Sequence, residues 1–248
     1  MTDRLYATDA YAFEVAATVV DVDPDTDRVL LDRTVFYPGG GGQPADRGIL
    51  LVGTDATATA EAGDRAEVVG VGEDARGVWH ELRGGLPAVG SQVHGLLDVE
   101  RRLALMRTHT AMHALCGVVW ERFGSPVTGG NMEPGVGRLD FELPEWDPED
   151  RDPLEAELRR QLAAARPVEV AFLPRAAADL DPSLIRTKVS LLPDDLEVVR
   201  VIDIVGLDRQ ADGGTHVRST AEVGDVRIAK VESKGRGFRR IRLALGDA

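Results

Sequence analysis

His109 and His113 stand four residues apart in the string Arg107-Thr108-His109-Thr110-Ala111-Met112-His113. On an α-helix that spacing projects both imidazoles from one face, one turn apart, close enough to bind a single ion. Such a pair also arises on core-facing stripes, so the spacing alone is weak. A later string, Asp212-Gly213-Gly214-Thr215-His216, sets a carboxylate and a third imidazole either side of two glycines. The glycines let the backbone fold tightly and return both side chains toward one point. Read by itself, this string is equally a Gly-Gly turn with a surface Asp and a buried, hydrogen-bonded His. Together the two strings offer His109, His113, Asp212 and His216 as metal ligands, from a chain with five histidines. Three imidazoles favour zinc, and zinc with an open position implies hydrolytic chemistry. Cys116, the sole cysteine, excludes an internal disulfide and a cysteine-based zinc cluster. It lies three residues beyond His113, where convergence with His109 is awkward, so its expected place is the core.

These ligands need a helix and a late turn to carry them. Residues 100–122 show Leu103, Met106, Thr110, His113, Cys116 or Gly117, and Trp120 at three- and four-residue steps, which predicts an amphipathic helix ended by Gly124-Ser125-Pro126. Before it, β-rich runs at 13–22, 28–32, 48–52, 66–71, 77–81 and 91–97 are broken by Asp23-Pro24-Asp25, Gly84-Gly85 and Pro87. Short strands at this spacing predict a small β-barrel or sandwich. After it come a strand at 137–142, an acidic loop, a helix at 153–165, and strands at 168–173, 196–204, 225–233 and 238–245. Helices among antiparallel strands predict an α+β second domain, so the chain divides at 97/98 into domains 1–97 and 98–248.

The net charge of −13, from 42 acidic against 29 basic residues, argues against general adhesion to nucleic acid or anionic membrane. One segment opposes that sign. Residues 230–242 carry Lys230, Lys234, Arg236, Arg239, Arg240 and Arg242 against Glu232 alone, a surface suited to phosphate. Arginine far outnumbers lysine across the chain, a bias that a high-salt cytoplasm or a GC-rich genome produces. In molar salt the Debye length falls to roughly 3 Å, which screens long-range repulsion of RNA. No apolar run is long enough to span a bilayer and no signal-peptide core opens the chain, so a cytoplasmic protein is expected.

With these residues in place, nearly the whole chain resembles the AlaX-type alanyl-tRNA editing proteins, free-standing relatives of the editing domain of alanyl-tRNA synthetase. Residues 98–113, with Arg107-Thr108-His109-Thr110-Ala111 and His113, look like the family's first motif. Val127-Thr128-Gly129-Gly130 with Arg138-Leu139-Asp140-Phe141 looks like its second. Asp208-Arg209-Gln210 running into Gly213-Gly214-Thr215-His216 looks like its third. Phe36-Tyr37-Pro38-Gly39-Gly40-Gly41-Gly42-Gln43-Pro44 is similar to the glycine-rich motif of the longer members. Four consecutive glycines permit positive φ and a backbone that another group can approach closely, although a plain hairpin loop would use them too. One position departs from the pattern, since the family usually has Cys where this chain has Asp212. Three readings follow, in this order: Asp212 ligates directly, it holds the metal's water, or the site has drifted toward inactivity.

The resemblance implies a translation-factor-like N-terminal β-barrel, an α+β metal-dependent editing domain, and a zinc ion. It implies hydrolysis of serine, with glycine as a second candidate, from the tRNA for alanine. Thr110, Thr128, Gln210 and Gly213 are the implied catalytic candidates, the two threonines for a serine hydroxyl and the glycine backbone for an oxyanion. Gly39, Gly40, Gly41, Gly42, Gly129, Gly130 and Asp140 are the implied pocket-loop residues, and Lys234, Arg236, Arg239 and Arg240 the tRNA contacts. Neither a membrane nor a stable protein partner is implied. Two rivals remain: editing of another aminoacyl-tRNA, as in the related threonyl family, and a metal-stabilised tRNA-binding module without turnover.

Overall fold

The computed structural model describes residues 2–53, 65–184 and 196–246. Its backbone forms two compact units, one of Met1–Gly40 and Pro44–Leu103, the other of Gly41–Gln43 and Ala104–Ala248.

The first unit holds β1 (Asp3–Arg4), β2 (Glu14–Asp23), β3 (Arg28–Leu31), β4 (Arg33–Thr34), β5 (Gly48–Val52), β6 (Arg65–Asp74), β7 (Gly77–Arg83) and β8 (Gln92–Leu97). Six of them close into a barrel in the order β2-β3-β7-β6-β5-β8, which decides between the barrel and the sandwich. All the barrel pairings are antiparallel. Along β2 and β8 buried and exposed positions alternate, so Val15, Ala17, Val19 and Val93 fill the interior with Leu31 and Phe36.

A buried ion pair organises the parts of this unit that flank the glycine run. Arg102, with no exposed surface, donates from Nε and Nη2 to the Asp46 carboxylate and from Nη2 to the Val35 carbonyl at 2.5 Å. Asp46 in turn accepts the Tyr37 N–H at 2.7 Å, and its own N–H bonds back to the Tyr37 carbonyl at 3.0 Å. The loop between these residues therefore leaves and returns at a fixed point. Each of Gly39, Gly40, Gly41 and Gly42 has positive φ within it, a run that side chains would strain.

The helix α1 (Val99–Phe123) begins one residue earlier and ends one later than the periodicity predicts. Its character also differs from the expected amphipathic helix. Every residue from Thr108 to Val119 is buried, whereas Trp120 on the expected apolar stripe is 41% exposed. The physical reason is composition: this stretch carries no Asp, Glu, Lys or Arg, so no side of it must face water.

The second unit adds β9 (Val127–Glu133), β10 (Val136–Glu142), α2 (Arg151–Ala163), β11 (Val168–Pro174), α3 (Arg175–Ala178), β12 (Val198–Ile204), β13 (Asp208–Ala211), β14 (Val226–Ser233) and β15 (Phe238–Leu245). Two antiparallel sheets result, β14-β15-β10-β9 and β11-β12-β13. The class is α+β, as expected. Met112 of α1 packs on Gly137 of β10, and Gly117 of α1 lies against the Leu207 carbonyl between β12 and β13. Helix α1 thus reaches both sheets of its unit. Among the described residues, no helix is long and apolar enough to cross a membrane.

His80, fully buried on β7, bonds through Nε2 to Thr34 Oγ1 at 2.8 Å. Burial pulls its pKa from 6.5 down to about 4. The unfolded chain takes up a proton near 6.5 that the folded barrel refuses, so stability is full above that pH and falls as pH drops toward 4. The expected loss is roughly 3 kcal/mol. Unfolding free energies of wild type and His80→Gln, measured between pH 7 and 4.5, check this; the two should diverge in slope, and parallel curves would refute it.

Candidate metal centre

The donor atoms of His109, His113, Asp212 and His216 all lie within 4.8 Å of one another. Ring centroids of the three imidazoles are 4.3 to 4.9 Å apart. Helix α1 supplies the first two ligands from one face, and the turn after β13 supplies the others. Asp212 Oδ2 lies 3.1 Å from His216 Nε2, and Asp212 Oδ1 lies 3.6 Å from His109 Nε2. A tetrahedral ion with bonds of ~2.1 Å spaces its ligand atoms about 3.4 Å apart, so these separations bracket a fit.

Each imidazole is contacted through Nδ1, and Nε2 of His109 and of His216 faces Asp212. His109 Nδ1 is 2.9 Å from Gln43 Oε1. His113 Nδ1 is 3.4 Å from Asp208 Oδ2 and 3.2 Å from Gln210 Nε2, while Gln210 Nε2 donates to that same carboxylate at 2.6 Å. His216 Nδ1 is 3.2 Å from Thr110 Oγ1. Such partners fix ring orientation and raise ligand basicity.

Electrostatics favour the ligand forms. Burial pulls the His109 pKa down to about 4, and burial with the two neighbouring imidazoles holds His216 well below its ordinary value. Burial opposes protonation of His113 as well, but its hydrogen bond with Asp208 and the charge of Asp212 raise it. Burial works against a charged Asp212, yet His109, His216 and His113 hold its pKa well below the carboxylate range. A carboxylate and at least two neutral imidazoles thus converge at neutral pH. That donor set suits zinc or a neighbouring divalent metal. Cys116 is buried and outside the donor cluster.

Other expected site residues fall in different places. Thr110 was expected against a substrate hydroxyl, but its side chain is fully buried, engaged with His216, and accepts the Val217 N–H at 3.3 Å. Its partners are thus His216 and the Val217 backbone. Gln210, also buried, donates to the Asp208 carboxylate that lies beside His113. Thr128 is exposed on β9, and Gly213 is exposed beside Asp212. Gly41 approaches the cluster, since a Cβ there would lie 3.6 Å from Asp212 Oδ1. Gly42 accepts the Met132 N–H at 3.0 Å along the edge of β9, and Gly39 and Gly40 belong to the first unit. Gly129, Gly130 and Asp140 lie in paired strands, Gly129 opposite Asp140, and not in a loop. Asp140 is taken by Arg240 in a two-bond pair, 2.7 Å each, which removes Arg240 from the set of freely presented cations. Lys234 and Arg236 are exposed in the β14–β15 turn, and Arg239 lines a cleft of about 450 Å³ with Trp146, Arg151, Lys230 and Ser233.

Three contributors escaped sequence reasoning. Gln43 and Asp208 each touch a ligand ring, and Arg200 Nη1 donates to the carbonyls of Asp212 and Gly214 at 3.0 and 2.8 Å, bracing the turn. Gln43 and Asp208 lie in strings already singled out, which was the available signal. Arg200, within β12, offered none.

Two imidazoles from a helix, with a carboxylate and third imidazole from a glycine turn, form a donor set of the kind that metal-dependent hydrolases use, and comparison gives the family. Residues 199–242 match the family described as threonyl and alanyl tRNA synthetase second additional domain. The alanyl-tRNA editing protein AlaX-M of Saccharolobus solfataricus is 34% identical over 246 residues, covering 97% of this chain and 98% of that protein. AlaX-M of Methanosarcina barkeri is 35% identical over the full length of both chains. The alanine–tRNA ligase of Methanoregula boonei is 35% identical across the whole of this chain, which spans 26% of the ligase. The chain belongs to the AlaX family of free-standing alanyl-tRNA editing proteins, and with that family it is an enzyme of the deacylase type.

Asp208→Asn removes the charge behind His113 and should weaken zinc binding by about 10–100-fold in a chelator competition. Asp212→Cys, which supplies a softer donor, should bind zinc at least as tightly as wild type. Zinc affinity unmoved by Asp208→Asn would place the ion elsewhere.

Proposed function

We propose that the protein hydrolyses the ester linking a wrong amino acid, serine first and glycine second, to the tRNA for alanine, in trans and in the cytoplasm, with zinc as its metal. The observation that carries this reading is the four-donor cluster in a chain aligned end to end with alanyl-tRNA editing proteins. In this reading the barrel is the translation-factor-like domain, residues 1–97, and residues 98–248 form the editing domain.

His109, His113, Asp212 and His216 would hold the ion, which when bound supplies Lewis acidity to an ester carbonyl. The remaining work falls to the chain. Asp208, to which Gln210 donates, holds the His113 ring, and Thr110 holds that of His216. Thr128, exposed on β9, is the hydroxyl partner for the serine side chain, a polar contact that an alanine-sized apolar pocket cannot provide. The Asp212 N–H is spent on the Arg200 carbonyl and the Gly214 N–H on Asp212 Oδ2. Gly213, exposed between them, is the donor we assign to the developing oxyanion.

Lys234 and Arg236 meet tRNA phosphates from the β14–β15 turn. Arg239 meets them at the cleft that it lines with Trp146, where an aromatic side chain beside a cation suits an unpaired nucleotide. A local cationic surface of this kind is compatible with a net charge of −13.

The test is release of labelled serine from Ser-tRNA(Ala), with Thr-tRNA(Thr) as comparison. Turnover is expected on the first, lost on chelation and in His113→Ala. Retained tRNA binding with no turnover would instead establish a binding module. Lys234→Ala with Arg236→Ala should weaken tRNA binding and lower the salt slope by about 2, leaving the zinc affinity unchanged.

A further inference from the structure

We infer that Gln43, the residue that closes the glycine run, is a positioning residue of the metal centre: it holds His109 in the tautomer whose Nε2 lone pair faces the other ligands. The inference rests on the metal-dependent reading above and adds to it a residue that reading did not require.

The argument starts from a group whose role is unambiguous. The Thr215 N–H can only donate, and the amide atom 3.0 Å from it must therefore be the Gln43 oxygen. With the oxygen fixed there, Nε2 is the atom that donates to Thr215 Oγ1 at 2.9 Å, as the pairing requires. The same oxygen lies 2.9 Å from His109 Nδ1. An amide oxygen accepts only, so Nδ1 must carry the proton. The other nitrogen, Nε2, is then left with its lone pair, and it is this atom that lies 3.6 Å from Asp212 Oδ1 inside the cluster.

The surroundings hold that amide in place. Gln43 is 2% exposed, so water does not compete for its oxygen. Gly41 and Gly42, at φ of 58° and 90°, bring the chain in, and a Cβ on Gly42 would lie 3.1 Å from the Gly130 carbonyl. On the other side Gly214 leaves the necessary space, because a Cβ there would meet the His109 ring and lie 2.7 Å from Gln43 Oε1. One side chain thus joins the glycine run, the first ligand, and the turn that carries the fourth. The glycine run serves the metal as well as any substrate.

Three variants separate orientation from packing. Gln43→Leu keeps the volume and removes the acceptor. Gln43→Ala removes both. Gln43→Glu keeps an acceptor for His109 Nδ1–H, for the Thr215 N–H and, after rotation, for the Thr215 hydroxyl. Zinc affinity by chelator competition should fall about 10–100-fold in Gln43→Leu and Gln43→Ala alike, and stay within about twofold of wild type or tighten in Gln43→Glu. In metal-free protein, ¹⁵N NMR of the His109 ring should show an Nδ1–H tautomer in wild type and in Gln43→Glu, and a mixed signal in Gln43→Leu. Wild-type affinity in Gln43→Leu, or an unchanged His109 tautomer there, overturns the inference. If wild type binds no metal at the cluster, the functional reading fails, while the NMR measurement still decides the role of Gln43.

Discussion

Three imidazoles whose ring centroids lie within 4.9 Å of one another, out of water, cannot all be protonated. Repulsion and lost hydration both oppose it, and the depressed pKa values of His109 and His216 express that. Nor can three neutral rings be left to rotate, since each carries one donor and one acceptor nitrogen and a wrong choice aims N–H groups at each other. Much of the second unit answers this constraint. Three different outward partners, an amide, a carboxylate and a hydroxyl, take the three Nδ1 atoms, and the one carboxylate that faces inward supplies the compensating charge.

Meeting that demand requires a helix that can be approached from all sides. Helix α1 is uncharged from Thr108 to Val119 and is contacted through glycines where neighbours come closest. A Cβ on Gly117 would lie 2.8 Å from the Leu207 carbonyl, and one on Gly137 would lie 2.6 Å from Met112 Sδ. These contacts set the height of the helix over each sheet. The reach of Asp208 and Gln210 on β13 toward His113 depends on that height.

The clustered donors themselves were legible in the sequence because each pair is local, four residues apart on a helix or either side of Gly-Gly. The barrel strands and α1 were legible from period and punctuation. What escaped was non-local. Gln43 and His109 are 66 residues apart, and Gln43 and Thr215 are 172. Strand β9 was missed because Gly129, Gly130 and Asn131 are poor strand formers, held there by pairing with β10. Helix α2 starts at Arg151, ahead of the expected residue 153, because Pro153 is tolerated within a first turn; it ends early because Ala165 takes a positive φ of 52°. Thr110 was read as a substrate contact because sequence gives its proximity to the ligands but not the direction its hydroxyl faces.

The Asp at position 212 can be weighed on the same footing. A thiolate and a carboxylate carry the same charge, so exchanging one for the other leaves the cluster's electrostatic balance intact and alters softness and reach. Asp212 uses one oxygen for two purposes: Oδ2 accepts the Gly214 N–H at 2.6 Å and faces His216 Nε2 at 3.1 Å. A thiol would perform the first of these poorly. Arg200 reinforces the turn by bonding the carbonyls of Asp212 and Gly214, and its Nη1 stands 4.0 Å from Oδ2. The carboxylate is thereby held from three directions with its other oxygen, Oδ1, pointed toward His109. An arrangement of this kind, with the carboxylate within reach of two imidazole nitrogens, is what direct ligation would need. We therefore propose direct ligation for Asp212, the reading that accounts for each of these contacts.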